Sequence, residues 1–532
     1  MRVAGVECTV DPADLRTRLA EADLPDEAAQ ALSARLDDSK ADSASLTRAI
    51  GLPWTRGPAK PLAIAPLRSA LESEHFAPPQ AVATIAEHVT AHDARQTAAQ
   101  PSHAPQRLLC LHGPDGVGKT VVARTIARVL DRPVEVIDLA QLGAAAEIWQ
   151  RRGQPGALMG AVEQAQSDQA VVVLAGLDRA AERWGADIGT LLARLTDAHR
   201  RASVRDPFFD VPFDLSHTLI IVTCRWTQSL SADDLSRLDV AELPGFLIDQ
   251  KTELSRRTLM PAALADHGLT PTDLTIDGNA LLVLIRSYTD EAGVARLDDL
   301  LRRIVRRSLV AGVQRADTPS VIASEDLFDL AGRPLLPERR DRRAQRRGHT
   351  AALVIDEHGG RHGVVLAVLM PGLGHALIPG LGRISMLDTN GADVSRELMV
   401  VTAAIRARLS DLQVSARFLQ EFDMHVEVPR STLSNDQAAA ALAVAIAIVS
   451  LARDRPVDPE LASTGSLSVD GRVEPTVAVA PKVLAAHRAG VRRVVLPRGN
   501  ERDLDELPPR IHDDITFIPV DDIAQALQVA LR

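Results

Sequence analysis

The stretch LLCLHGPDGVGKTVVARTIARVL constrains this chain more than any other. An apolar run ends at His112, and Gly113-x-x-x-x-Gly118-Lys119-Thr120 opens a helical pattern directly after it. A glycine-rich turn between strand and helix lets backbone N–H groups close around phosphate oxygens, and the helix N-terminus adds a favourable field. Gly113, Pro114, Asp115, Gly116, Val117 and Gly118 would form that cradle. Lys119 would reach the terminal phosphates of ATP or ADP, and Thr120 would ligate Mg²⁺ where the metal is bound. The loop also dictates its surroundings. RLLCLHG, PVEVIDL, AVVVLAG and HTLIIVTC are short apolar runs separated by helical stretches, as in a parallel sheet covered on both faces. An α/β nucleotide-binding domain is predicted over 101–245.

Binding is not hydrolysis. A working P-loop ATPase holds its metal shell with an acidic residue at the end of a later strand, usually beside a glutamate that orients water. The corresponding run, AVVVLAGLDRA, ends in Ala175 and Gly176 where the acids belong. Asp178 follows two residues on and is expected to cap a helix. Micromolar or weaker nucleotide affinity with negligible turnover is the expected result.

With 532 residues the chain exceeds one core and calls for several domains. Residues 1–100 read as helical material, with Leu15, Leu19, Leu24, Ala28 and Leu32 at helical spacing and a further helix over 79–92. Residues 246–332 read as mostly helical, and 333–350 as an arginine-rich linker. Residues 351–532 form a second α/β unit, with strands near AALVID, GVVLAVLM, MHVEVP and RRVVLP. The net charge of −10 gives no bulk attraction to nucleic acid, and the 333–350 arginines are the one place such a partner could touch. Cys110 and Cys224 sit in apolar runs and Cys8 stands apart, so reduced thiols and a cytoplasmic location are expected. No signal-peptide pattern opens the sequence, and no membrane partner is expected.

One more segment stands out. DQAAAALAVAIAIVSLA, from Asp436 to Ala452, carries no polar side chain between Gln437 and Ser450. It falls short of the roughly 18–20 apolar residues that span a bilayer, so a buried core helix is predicted.

Taken in order, GPDGVGKT, DPFFDVPFDLSHTLIIVT, SYTDEAGVARLDDLLRR and STGSLSVDGRVEP followed by KVLAAHRAGVRRVVLP resemble the Lon protease family over roughly residues 45–530. The resemblance implies an AAA+ α/β domain with a small helical lid, then an α/β Lon-type protease domain. It also implies a homo-oligomeric, hexameric ring acting as an ATP-dependent cytoplasmic serine protease. The family's large N-terminal substrate domain is expected to be mostly missing here.

Lon cuts peptides with a Ser–Lys dyad, in which a desolvated neutral lysine takes the proton of the attacking serine. The serine follows an aspartate in D-G-P-S-A-G; carried over, DQAAAA puts Ala439 at the nucleophile position. KVLAAHR retains the lysine as Lys482, which without its partner reads as a structural relic or an exposed side chain. Ser431, Thr432 and Ser434 stand nearby but fall in the preceding loop, and misplacement by about 1 Å can cost on the order of 100-fold. The resemblance places Arg225 at the sensor asparagine, Ala295 at the phosphate-sensing arginine of the lid with Arg296 adjacent, and Arg237 at the arginine finger. The substrate-gripping loop, EIWQRRGQPGALMG, retains only the aromatic Trp149.

Three readings follow from the resemblance. The first is a nucleotide-binding relative that no longer cuts, serving as a scaffold or regulatory ring component beside its own copies, an active Lon or a held client. The second is a working ATP-dependent endopeptidase. The third is an ATP-independent chaperone.

Overall fold

A computed structural model describes residues 12–36, 42–54, 64–97, 105–227, 229–310, 320–335, 346–356, 359–370, 384–388, 395–415, 418, 423–429, 431 and 436–532. The chain divides into two compact units: 1–113 with 118–243, and 114–117 with 244–532. Cys8, Thr432, Ser434 and residues 336–345 of the arginine-rich run lie outside the described residues.

The first unit opens with helices α1 (Pro12–Glu21), α2 (Asp26–Leu36), α3 (Ser43–Ile50), α4 (Ile64–His75) and α5 (Pro79–Thr97). Leu24 falls in the break between α1 and α2, where Pro25 cannot supply a helical N–H, so the expected periodicity spans two helices. Asp42 caps α3 by accepting from Ala44 N and Ser45 N. Helix α5 runs five residues past the expected end at His92, to Thr97.

The sheet of this unit has five strands: β1 (Leu108–His112), β2 (Val134–Asp138), β3 (Val171–Ala175), β4 (Leu219–Cys224) and β5 (Leu238–Glu242). Their order is β2-β3-β4-β1-β5, and every pairing is parallel. The four predicted apolar runs are all strands, and β3 and β4 are almost wholly buried. β5 is the strand the apolar pattern missed. It is an edge strand whose Asp239 and Glu242 break the run of apolar residues.

The second unit holds helical material with a parallel pair of short strands, β6 (Leu274–Ile276) and β7 (Ser320–Ile322). Beyond it comes a seven-stranded mixed sheet. Its strands are β8 (His349–Asp356), β9 (Gly359–Met370), β10 (Ile384–Asp388), β11 (Asp423–Val428), β12 (Leu461–Ser463), β13 (Arg493–Pro497) and β14 (Thr516–Val520), ordered β10-β11-β9-β8-β12-β13-β14. The apolar segment quoted above begins as a 3₁₀ turn over Gln437–Ala440 and becomes α-helical only at Ala441, running to Arg453. From Ala441 to Ser450 every residue of that helix is buried, against Val354, Val365, Val426, Ile405 and Leu527 among others. Leu442, Ile446, Ile448 and Val449 each contribute about 1.5–3 kcal/mol through burial. Its lone hydroxyl, Ser450 Oγ, donates to Arg455 O at 2.5 Å and accepts from Gly348 N at 3.1 Å.

Candidate nucleotide loop and candidate peptidase centre

β1 delivers the predicted phosphate loop. Gly113 N donates to Cys224 O at 3.1 Å, pinning the start of the loop to the end of β4. Gly118 then turns the chain at φ 87° into α6 (Lys119–Val129), whose first turn receives no side-chain cap. Uncapped N–H groups at the start of an 11-residue helix favour an anion, so a phosphate fits here. Lys119 Nζ donates to Gly113 O at 2.6 Å, folded over the loop it serves. Pro114, Asp115, Gly116 and Val117 group with the second unit, where Val294 N donates to Gly116 O at 3.1 Å. A side chain at Gly116 (φ 77°) would put its Cβ 2.9 Å from Ala295 N, so glycine is required there on two counts.

The metal side of the loop is different. Gly176 N donates to Thr223 O at 3.1 Å, so the end of β3 lies beside β4, where metal-holding acids would project. Ala175 and Gly176 carry none. Asp178 lies in the first turn of α7 (Leu177–Trp184) but makes no capping bond, contrary to the expected role. Instead its Oδ2 accepts from Arg225 Nε at 2.7 Å and its Oδ1 from Arg225 N at 3.2 Å. Asp178 is 1% exposed and Arg225 partly exposed, so this is a half-buried, charge-assisted pair. The two residues come together only because β3 and β4 are neighbours in the sheet. Among the described residues no cluster of three or more His, Cys, Asp or Glu is placed to hold a metal ion. The glycine-rich loop and the uncapped helix start fit a phosphate, and on the metal side the predicted ligand Thr120 follows Lys119 while Asp178 is engaged by Arg225. Behind the loop, burial first and then the Lys119 charge push His112 down to about 4, so its ring is neutral near pH 7.

In the second unit Ala439 lies in the 3₁₀ turn before the buried helix, itself 1% exposed. Lys482 sits in the first turns of α-helix Val479–Arg488 and is fully buried, which excludes the exposed alternative. Its Nζ donates to Asp436 Oδ1 at 2.6 Å, and both side chains are wholly sealed from solvent. The other carboxylate oxygen, Asp436 Oδ2, accepts from Ser431 Oγ at 3.1 Å, and Val477 N also donates to this carboxylate. Burial lowers the Lys482 pKa, and the neighbouring carboxylate offsets part of that shift. The same desolvation raises Asp436. Ser431, one of the serines weighed as a substitute, is thus bonded to the lysine's partner. Two more buried hydroxyls, Ser463 and Thr464, make no side-chain hydrogen bond, and Gly465 N beside them donates to Ala439 O at 3.0 Å. Among the described residues, no hydroxyl hydrogen-bonds to Lys482 Nζ.

The remaining predicted residues are placed as follows. Arg237 pairs through its terminal nitrogen with Asp233 at 3.0 Å, on a partly exposed face. Glu291 accepts from Arg296 N and Leu297 N at 3.0 and 2.9 Å, capping the helix that begins at Ala295. Trp149 lies under the Arg194 guanidinium, 3.8 Å from its ring centroid, beside a hairpin pairing Gln150–Arg151 with Gln154–Pro155. Cys110 and Cys224 are buried free thiols with sulfurs 3.4 Å apart. Two partners escaped the sequence reading. Asp436 is 46 residues from Lys482, and Arg225 is 47 from Asp178. The aspartate preceding the nucleophile position was the one signal that could have found the first.

Three family descriptions match the chain in succession: the AAA family of ATPases associated with various cellular activities over 109–244, the Lon protease AAA+ ATPase lid domain over 265–321, and the Lon protease (S16) C-terminal proteolytic domain over 321–532. Among curated relatives, a Lon protease of Chloroflexus aurantiacus is 30% identical over 540 residues, covering 97% of this chain and 64% of that protein. Lon proteases of Dictyoglomus thermophilum and Halothermothrix orenii are 30% and 28% identical, each across 97% of this chain and 66% of the relative. The chain thus spans just under two thirds of the length of these relatives. No helix among the described residues is long and apolar enough to cross a membrane. With an AAA+ α/β domain, a helical lid and a Lon-type proteolytic domain in that order, the chain belongs to the Lon protease family.

Proposed function

We propose that this chain is a member of the Lon family that binds ATP or ADP but neither hydrolyses it at an appreciable rate nor cuts peptides. It acts as a scaffold or regulatory component of a ring, in the cytoplasm, holding its own copies, an active Lon or a client. The domains divide near 101–245, 246–332 and 351–532, after helical material at 1–100 and an arginine-rich linker at 333–350. Arg237 is the residue a neighbouring copy's nucleotide would meet.

One observation carries the reading. Lys482 Nζ donates to Asp436 at 2.6 Å in a sealed pocket, and a methyl group, Ala439, stands at the nucleophile position. A general base needs its lone pair within about 2.6–3.2 Å of the proton it removes. Here the amine is engaged by a carboxylate, and among the described residues no hydroxyl hydrogen-bonds to it. Loss of the metal-side acids at Ala175 and Gly176 supports the same conclusion for ATP.

The relatives are named proteases, which favours a second reading, a working endopeptidase using Ser431 or a hydroxyl outside the described residues. Casein degradation with and without ATP separates the two. The first reading expects none; proteolysis that disappears in Lys482→Ala supports the second.

A further inference from the structure

We propose that the phosphate loop takes its nucleotide without Mg²⁺, with Arg225 supplying the positive charge that the metal supplies in a working P-loop ATPase. The inference deepens the nucleotide-binding reading above and rests on it.

The placement follows from the sheet. Gly113 N is bonded to Cys224 O, so Arg225 begins one residue beyond the atom that anchors the loop. From there its guanidinium reaches Asp178 across the end of β3, on the side where metal-holding acids would stand. The charges can be counted. Two ionised carboxylates and a divalent ion sum to zero, and so do the Asp178 carboxylate and the Arg225 guanidinium. A nucleotide therefore meets the same net charge beside Lys119 with no metal present.

Beyond the Thr120 hydroxyl, Mg²⁺ has little to gain here. Both oxygens of Asp178 already accept from Arg225, and Ala175 and Gly176 offer no ligand. A divalent ion carried in on ATP would also sit near a fixed guanidinium and be repelled by it. A guanidinium is planar, permanently charged and suited to phosphate oxygens, so it can exchange part of its bonding to Asp178 for the ligand.

The test is calorimetric titration of the full chain with ADP and with a non-hydrolysable ATP analogue, once in millimolar Mg²⁺ and once in EDTA. Equal affinity within about threefold, or tighter binding in EDTA, is expected, a difference below the tenfold that marks a substantial energetic change. Tightening by about tenfold or more in Mg²⁺ overturns the inference while leaving the nucleotide reading intact. Binding in neither buffer removes both. Arg225→Asn should lose most of its binding in EDTA, whereas Arg225→Lys, which keeps the charge, should retain part of it. Arg225→Asn binding like the native chain in EDTA would overturn the assignment to Arg225. If that variant does not fold, the comparison on the native chain alone decides.

Discussion

Two carboxylate–cation pairs stand at the two candidate sites, and they differ in how far each is closed to solvent. In the AAA+ domain β3 ends in Ala175 and Gly176, and Arg225 donates to the nearby carboxylate of Asp178. In the proteolytic domain the cation is Lys482, whose amine donates to the Asp436 carboxylate. The consequences diverge. Arg225 keeps a partly exposed side chain, 17%, at the edge of a loop that can still admit a phosphate. Lys482 and Asp436 are both at 0%, in a pocket closed to solvent. A charge pair left partly exposed beside a ligand cradle can still exchange partners, whereas one sealed from solvent serves packing.

The comparison breaks first on stability. Asp436→Ala leaves an uncompensated buried ammonium, and removing one partner of such a pair costs about 3–5 kcal/mol. Urea or thermal unfolding should show that loss, while Asp436→Leu combined with Lys482→Met should be near neutral, because apolar replacement of a buried pair often is. A single-variant loss under about 1 kcal/mol would mean the pair does not hold the pocket. Asp178→Ala should cost less, about 1.5–3 kcal/mol, since Arg225 retains contact with water.

A third buried cation sharpens the contrast because it has no carboxylate at all on its amine. Lys251 Nζ donates to the carbonyl of Glu291 at 2.5 Å, and burial, with Arg488 adding to it, brings its pKa down to about 7. The folded value lies below the unfolded one of about 10.4, so the unfolded chain holds the extra proton between them. Stability should therefore rise from pH 7 towards pH 10, at up to about 1.4 kcal/mol per pH unit from this group. Unfolding midpoints of the native chain and Lys251→Met across that window check it; parallel curves would remove Lys251 as the cause.

The smallest expected effect is on catalysis. Ala439→Ser should restore no hydrolysis of a fluorogenic peptide, because Nζ donates to Asp436 rather than waiting for a proton. Turnover returning in that variant would show that the pocket lost one atom and nothing else.

Much of this was legible in the residues. The glycine turn between β1 and α6 and four of the five strands around it follow from apolar runs and motif spacing. β5 did not, because an edge strand tolerates Asp239 and Glu242, and its pattern no longer looks like a core strand. Asp178 was read as a cap because local sequence shows only its place at a helix start. That Arg225 lies opposite is a fact of strand order. Lys482 was ambiguous for a similar reason: VAPKVLAAHR has apolar residues on every side of the lysine, so its pattern alone assigns no buried face. Its partner is brought from 46 residues away by the turn over Gln437–Ala440 and the sheet beneath.

The most direct test of the proposed absence of peptidase activity is covalent. The native chain, treated with a serine-directed fluorophosphonate and weighed intact, should carry no adduct at a stoichiometry above that of Lys482→Ala. A single adduct on Ser431, or on any hydroxyl, that vanishes when Lys482 is replaced would show a working nucleophile and contradict the account.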